Sequence, residues 1–199
     1  MKTASLKKWI VGAAAACTFF SIGSFAEAST TYQVKQGDTL WKLANTYNVP
    51  VLELKKTNAM ETNMLYAGKK ITIPSAPFTT SEQDLLARLV SAEAKGEPYA
   101  GKVAVATVVL NRVASNDFPN TLTGVINEIS NGHYAFTPVE NGTIKQAATA
   151  ESKRAAKEAI ALKGMSKGSL FFYNPKTSTS KWITSRETVT TIGQHVFAK

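Results

Sequence analysis

Apolar residues follow two different periods along this 199-residue chain, and the changes of period divide it into elements. Thr31–Val34 alternates as a short strand should. Gln36–Thr39 (QGDT) then makes a turn in which Asp38 or Thr39 can cap a helix. Leu40, Leu43, Ala44 and Tyr47 keep helical spacing. Pro50 suits the first turn of a second helix, with Val51, Leu52 and Leu54 as its apolar positions. Ala67-Gly68 turns the chain into Lys70–Ile73 (KITI), a second alternating strand. The order strand–helix–helix–strand ends at Pro74, and the Pro- and Thr-containing stretch to Thr80 reads as a linker.

Beyond the linker the helical period dominates. Ser81 with Asp84 three residues on approximates a capping box for a helix running to about Ala94. Lys102–Val113 is nearly all apolar. Its length and alanines favour a buried helix, while its many valines leave a strand as the alternative. Val125, Ile126 and Ile129 predict a third helix, 131–142 a loop, and Glu151–Leu162 a helix stopped near Gly164. Leu170–Tyr173 and Lys181–Thr184 read as short strands. The fold class is therefore α+β. A small βααβ domain spans 29–74, a linker 75–80, and a mostly helical domain with a small antiparallel sheet 81–199.

The N-terminus follows another pattern. Lys2, Lys7 and Lys8 precede an apolar run from Trp9 to Phe25, and Ala26-Glu27-Ala28 supplies an A-x-A cleavage site. Residues 1–28 read as an export signal, with a retained membrane anchor as the alternative. Cys17, the only cysteine, lies inside the run, so a chain cleaved there has no thiol for disulfides, nucleophilic attack or metal binding. The formal charge is +9. Cleavage after Ala28 removes three Lys and one Glu and leaves +7. A basic chain is drawn to polyanions. The scattered lysines and the export signal argue against nucleic acid, and no stable membrane insertion is expected after cleavage.

Glu93 is the candidate for chemistry. Leu86, Leu89 and Val90 precede it by seven, four and three residues, which puts all four side chains on one helical face. A carboxyl group among apolar neighbours is costly to ionise, so its pKa rises. An acid kept protonated near neutral pH suits general acid catalysis. A Glu fraying into water at a helix end is the other reading of the same spacing.

Two resemblances sharpen this. Ala92–Tyr99 (AEAKGEPY), Val103–Val113 (VAVATVVLNRV), Phe118-Pro119, Phe136-Thr137, Leu170–Pro175 (LFFYNP), Trp182-Ile183 and Ile192–Phe197 (IGQHVF) resemble the SleB/CwlJ-like spore-cortex-lytic and cell wall hydrolase family, in family order. That resemblance implies a lysozyme-like catalytic domain acting on peptidoglycan glycan strands, with Glu93 as the catalytic acid. Val34–Ala44 (VKQGDTLWKLA), Asn58 and Leu65–Pro74 (LYAGKKITIP) resemble a LysM domain, which implies binding of N-acetylglucosamine-containing glycans. The implied groove has Gly37, Asp38, Thr39 and Leu40 on one wall and Asn58, Ala59 and Met60 on the other. Several of these also suit turn, cap or core roles.

The mechanism implied depends on the number of carboxylates. Retaining glycosidases place a second carboxylate about 5 Å away, and inverting ones roughly 6.5–9.5 Å away with a water between. A lytic transglycosylase uses a single Glu as acid and then base, and the sugar's own 6-hydroxyl attacks. Glu97, Asp117, Glu128 and Glu140 are the possible partners, and the last three read as solvated. Glu97 can turn into the cleft or pair with a Lys. Phe136, Thr137, Tyr173, Asn174 and Trp182 suit a sugar, offering an apolar face beside a polar group, though Phe136 and Trp182 also suit a core. His133 and His195 lack metal-ligand spacing, so no metal or cofactor is expected and an amidase is a weak rival. A two-carboxylate hydrolase and a non-catalytic wall-binding protein stay open. The expected setting is a secreted, wall- or spore-associated monomer.

Overall fold

The computed structural model describes residues 29–130 and 132–199. The export-signal reading and Cys17 lie outside them. No helix among the described residues is long and apolar enough to cross a membrane.

The N-terminal unit is β1 (Thr30–Gln33), α1 (Leu40–Tyr47), α2 (Val51–Thr57) and β2 (Lys70–Ile73), with β1 and β2 paired antiparallel. Thr39 caps α1 by accepting the Lys42 N–H, and Pro50 opens α2. Val34, Leu40, Leu43, Val49, Leu54, Ile71 and Ile73 bury between the sheet and the helices. Asn58 fastens α2 to β2. Its amide donates to the carbonyls of Leu54 and Thr72 at 2.8 and 2.7 Å and accepts the Thr72 N–H at 2.7 Å.

The C-terminal unit is built on α3 (Thr80–Glu93), α4 (Tyr99–Ala114) and α7 (Ala150–Ala161). Shorter elements surround them: α5 (Leu122–Ile126), β3 (Ile129–Ser130), β4 (His133–Tyr134) and α6 (Thr137–Glu140). The chain ends in β5 (Phe171–Tyr173), α8 (Lys181–Thr184), β6 (Thr188–Ile192) and β7 (His195–Ala198), with sheet order β5-β7-β6, all antiparallel. Residues 102–113 are helical, inside α4, with Val105, Val108 and Val109 fully buried. Ala155, Ala156 and Ala159 let α7 approach α3 and α4 closely.

The two units share material. Ala161, the last residue of α7, is buried in the N-terminal core, while Ala155 to Ile160 serve the C-terminal one. The stretch between the units is no free tether. Ala76 packs on the first core and Phe78 is buried in the second.

Four local expectations need correction. The capping box of α3 is Thr79 with Glu82, not Ser81 with Asp84: the Glu82 carboxylate reaches back to the Thr79 N–H at 2.9 Å. Asp84 pairs instead with Arg88, one turn on, at 2.9 Å. Ile129 lies outside α5 in the β3–β4 hairpin, 59% exposed, and the 131–142 loop contains β4 and α6. Lys181–Thr184 is a single helical turn capped by Ser180 rather than a strand. The real partner of β5 is β7, which pairs on its other edge with β6. The threonines of β6 are mostly exposed, and a register shift at Thr188/Thr190 breaks its alternation, so its apolar pattern is weak.

Asn58→Ala is expected to destabilise the N-terminal unit by about 1–3 kcal/mol, because the Thr72 backbone groups lose partners that water replaces only in part. Urea unfolding of the full chain measures it. A midpoint equal to the parent's excludes this clamp as a stabilising feature.

Candidate active site

Glu93 is the last residue of α3, and the helix places it beside the fully buried Leu86, Leu89 and Val90. The helix stops there because Gly96 takes φ +84° and Pro98 opens α4. Glu93 is itself mostly buried, and among the described residues it makes no ion pair within 4 Å. Burial raises its pKa from an ordinary 4.5 to about 7, opposed in part by the positive charge of Arg112. The protonated and ionised forms are thus both populated near neutral pH.

Arg112 is the residue that sequence reasoning missed. It lies on α4, only 8% exposed, on the same face as Val105, Val108 and Val109. Its guanidinium carbon sits 4.8, 5.2 and 5.6 Å from the ring centres of Phe118, Phe136 and Phe171. Its Nε donates to the Leu170 carbonyl at 2.8 Å. Burial lowers its pKa, while Glu128 and then Glu93 act to raise it. Glu128 is therefore half-buried in the field of Arg112, not solvated as its sequence surroundings implied. An arginine on the buried face of an apolar helix was the available signal.

Glu97 lies outside this group. It is 6% exposed, and its Oε2 accepts the Gln194 N–H at 3.1 Å, in the turn between β6 and β7. Gly193, at φ +59°, makes room for it: a Cβ there collides with Glu97 Oε2. The His195 Nδ1 lies 4.0 Å from Glu97 Oε1 and has no hydrogen-bond partner among the described residues. Glu97 thus clips the terminal hairpin to the α3–α4 turn. Asp117 and Glu140 are exposed, with Ser115 and His133 as neighbours.

The sugar-facing candidates divide. Phe136, 3% exposed, stacks on Phe172 at 6.4 Å and carries Arg112, so it is core and unavailable to a ligand. Thr137 opens α6 and is exposed. Trp182 is 55% exposed, edge-on to Phe171 at 5.1 Å, with Arg186 at 4.2 Å over its ring. Since Phe171 also touches Arg112, Trp182 joins the same cluster. Tyr173 ends β5 half-buried, and the Asn174 side chain is spent on the Lys176 N–H.

In the N-terminal unit, Leu40 is core, Asn58 is the clamp, and Thr39 is the cap. Asp38 accepts from Tyr32 Oη and the Lys35 N–H at 2.8 and 2.7 Å, which holds its pKa below the usual carboxylate range. Gly37 and Ala59 stay exposed at positive φ, and Met60 packs partly against the core. Their side chains leave mainly backbone to meet a ligand. No cluster of three or more His, Cys, Asp or Glu able to hold a metal occurs among the described residues.

The profile of the family described as Cell Wall Hydrolase matches residues 96–198, beginning three residues after Glu93, and that of the LysM domain matches residues 32–74. A spore cortex-lytic enzyme of Bacillus cereus is 41% identical over 131 residues, 66% of this chain and 49% of that protein. One from Bacillus subtilis is 41% identical over 61% of this chain and 39% of the other. This chain thus spans about half the length, or less, of these curated relatives. The solved catalytic domain of the germination-specific lytic transglycosylase SleB from Bacillus anthracis is 41% identical. It superposes with a TM-score of 0.55 over 62% of this chain and 98% of its own.

Burial of Glu93 has a signature in stability. Between pH 4.5 and about 7 the unfolded chain ionises this group while the folded chain keeps its proton. Stability therefore falls as pH rises through that window, by about 2 kcal/mol once partial solvent screening is allowed for. Glu93→Gln has no charge to bury. Its melting temperature is expected to match the parent's at pH 4 and to exceed it at pH 8. Curves that run parallel at both pH values contradict the burial described.

Proposed function

The chain belongs to the cell wall hydrolase family, and from that premise we propose that it cuts the glycan strands of peptidoglycan as a single-carboxylate lytic transglycosylase held to the wall by its LysM domain. The observation that carries this is Glu93: a carboxyl group on the core face of α3, free of ion pairs among the described residues, with a pKa of about 7. Protonated, Glu93 gives its proton to the glycosidic oxygen as the C1–O bond breaks. The sugar left behind develops positive charge. The Glu93 carboxylate then takes the proton of the 6-hydroxyl, whose oxygen bonds to C1. The product is a 1,6-anhydro sugar, no water is consumed, and Glu93 ends protonated as it began.

Arg112 supports the cycle by stabilising the carboxylate while it exists. Trp182, exposed at the edge of the aromatic cluster, offers a sugar ring a face. The relatives named for spore cortex make cortex the first substrate to try, and the export-signal reading puts the enzyme outside the membrane. A second reading rests on Glu128. Its place beside Arg112 makes it the strongest partner carboxylate for a hydrolase, in preference to Glu97, which holds the hairpin.

Products distinguish the two: mass spectrometry of digested sacculi should show anhydro ends, and reducing ends instead favour the hydrolase. Glu93→Gln should lower turnover about 10²–10⁴-fold without loss of wall binding. Activity of the parent should fall as pH rises through about 7, where Glu93 loses its proton. Glu97→Gln, whose amide oxygen can still accept from Gln194, should keep most activity, and Glu97→Ala should not. If purified protein binds sacculi and never clears them, it is a wall-binding protein only.

A further inference from the structure

Trp41 stands on the outer face of α1, 47% exposed, and lines two adjoining grooves. One, about 550 Å³, lies on the N-terminal unit beside Tyr32, Lys35 and Tyr47. The other, about 360 Å³, crosses to the C-terminal unit, where Tyr99, Arg154, Lys157 and Glu158 form the far wall. Trp41, Asn45 and Thr46 belong to both, so the two join into one trough spanning the boundary between the units. It exists because α1 packs against α7. Of the groove implied by the LysM resemblance only Asp38 borders it; Gly37, Thr39, Leu40, Asn58, Ala59 and Met60 do not.

The walls of the trough differ in chemistry. An indole face suits the apolar side of a pyranose ring. Opposite it, Arg154 and Lys157 are exposed, and among the described residues neither makes an ion pair. Arg154 lies 5.6 Å from the Tyr99 ring centre. The nearby acids are already engaged. Glu158 accepts from Tyr99 Oη at 2.7 Å, and Asp38 accepts from Tyr32 and Lys35. The Asn45 amide nitrogen is buried without a hydrogen-bond partner among the described residues, and Asn45 lines both grooves.

We propose that this trough is a second glycan site, built jointly by the two units, for an amino-sugar strand bearing carboxylates. A sugar ring rests on Trp41, and the acid groups of lactyl or stem-peptide substituents meet Arg154 and Lys157. The site rests on the reading of the chain as a peptidoglycan-cutting enzyme and adds the substrate chemistry it selects.

The test uses the full chain with Glu93→Gln, so that nothing is cut, and titration calorimetry with three probes. These are soluble uncross-linked strands carrying stem peptides, neutral chitotetraose, and poly(glycerol phosphate). Arg154→Glu with Lys157→Glu is expected to weaken strand binding about tenfold and leave chitotetraose unchanged. Trp41→Ala should weaken strand binding about tenfold as well, and Trp41→Phe, which keeps a ring, should restore most of it. Thermal melts confirm that each variant is folded. If strands bind every variant like the parent, the trough is idle and the proposal fails while the peptidoglycan reading stands. If the charge reversal abolishes binding of both strands and poly(glycerol phosphate) but Trp41→Ala changes nothing, the trough is a bare anion patch and the proposal also fails. If the parent binds neither strands nor sacculi, the underlying functional reading is the one that falls.

Discussion

A guanidinium buried among phenylalanines is the constraint from which the rest of the C-terminal unit follows. Taking one cation out of water costs several kcal/mol. Each ring contact of Arg112 returns only about 0.5–2 kcal/mol. The remainder has to come from charge and hydrogen bonding, and the Leu170 carbonyl, Glu128 and Glu93 supply it. Those partners come from α3, from the segment after α5, and from the residue before β5. Satisfying one side chain therefore fixes how three separate parts of the chain meet. Glu128 is the larger electrostatic partner of the two carboxylates, which leaves Glu93 free to keep its proton.

Much of this was legible in the sequence because it rests on local rules. The spacing of Leu86, Leu89, Val90 and Glu93 placed the acid on the core face, and burial then raised its pKa as expected. The βααβ order and the main helices follow from periodicity, since their buried faces are continuous. What stayed hidden depends on contacts distant in sequence. The bond from Glu97 to Gln194 joins residues 97 positions apart, so nothing near Glu97 announces it. Phe136 reads like a sugar platform until the ring of Phe172 and the cation of Arg112 enclose it. The strand β6 is threonine-rich and bulged, and a weak period cannot compete with the apolar Trp182-Ile183 pair that drew the prediction one element too early.

The N-terminal unit shows the opposite economy. Its polar residues near the implied groove mostly hold the fold: Asp38 the first turn, Thr39 the helix start, Asn58 the second strand. Under the proposed function, recognition there falls to backbone and to shape, which suits a ligand whose rings repeat and carry few distinguishing groups. Discrimination between one wall polymer and another then belongs to surfaces with charge and aromatic area.

Helix α7 ends inside one core after building the other, and Phe78 anchors the intervening stretch. A module on a loose string raises local concentration but lets the cutting end wander. A module sharing a helix with its partner sets an interval instead. Under the proposed function, the offset between the glycan-binding unit and Glu93 is then set by packing on α7 and not by a free linker.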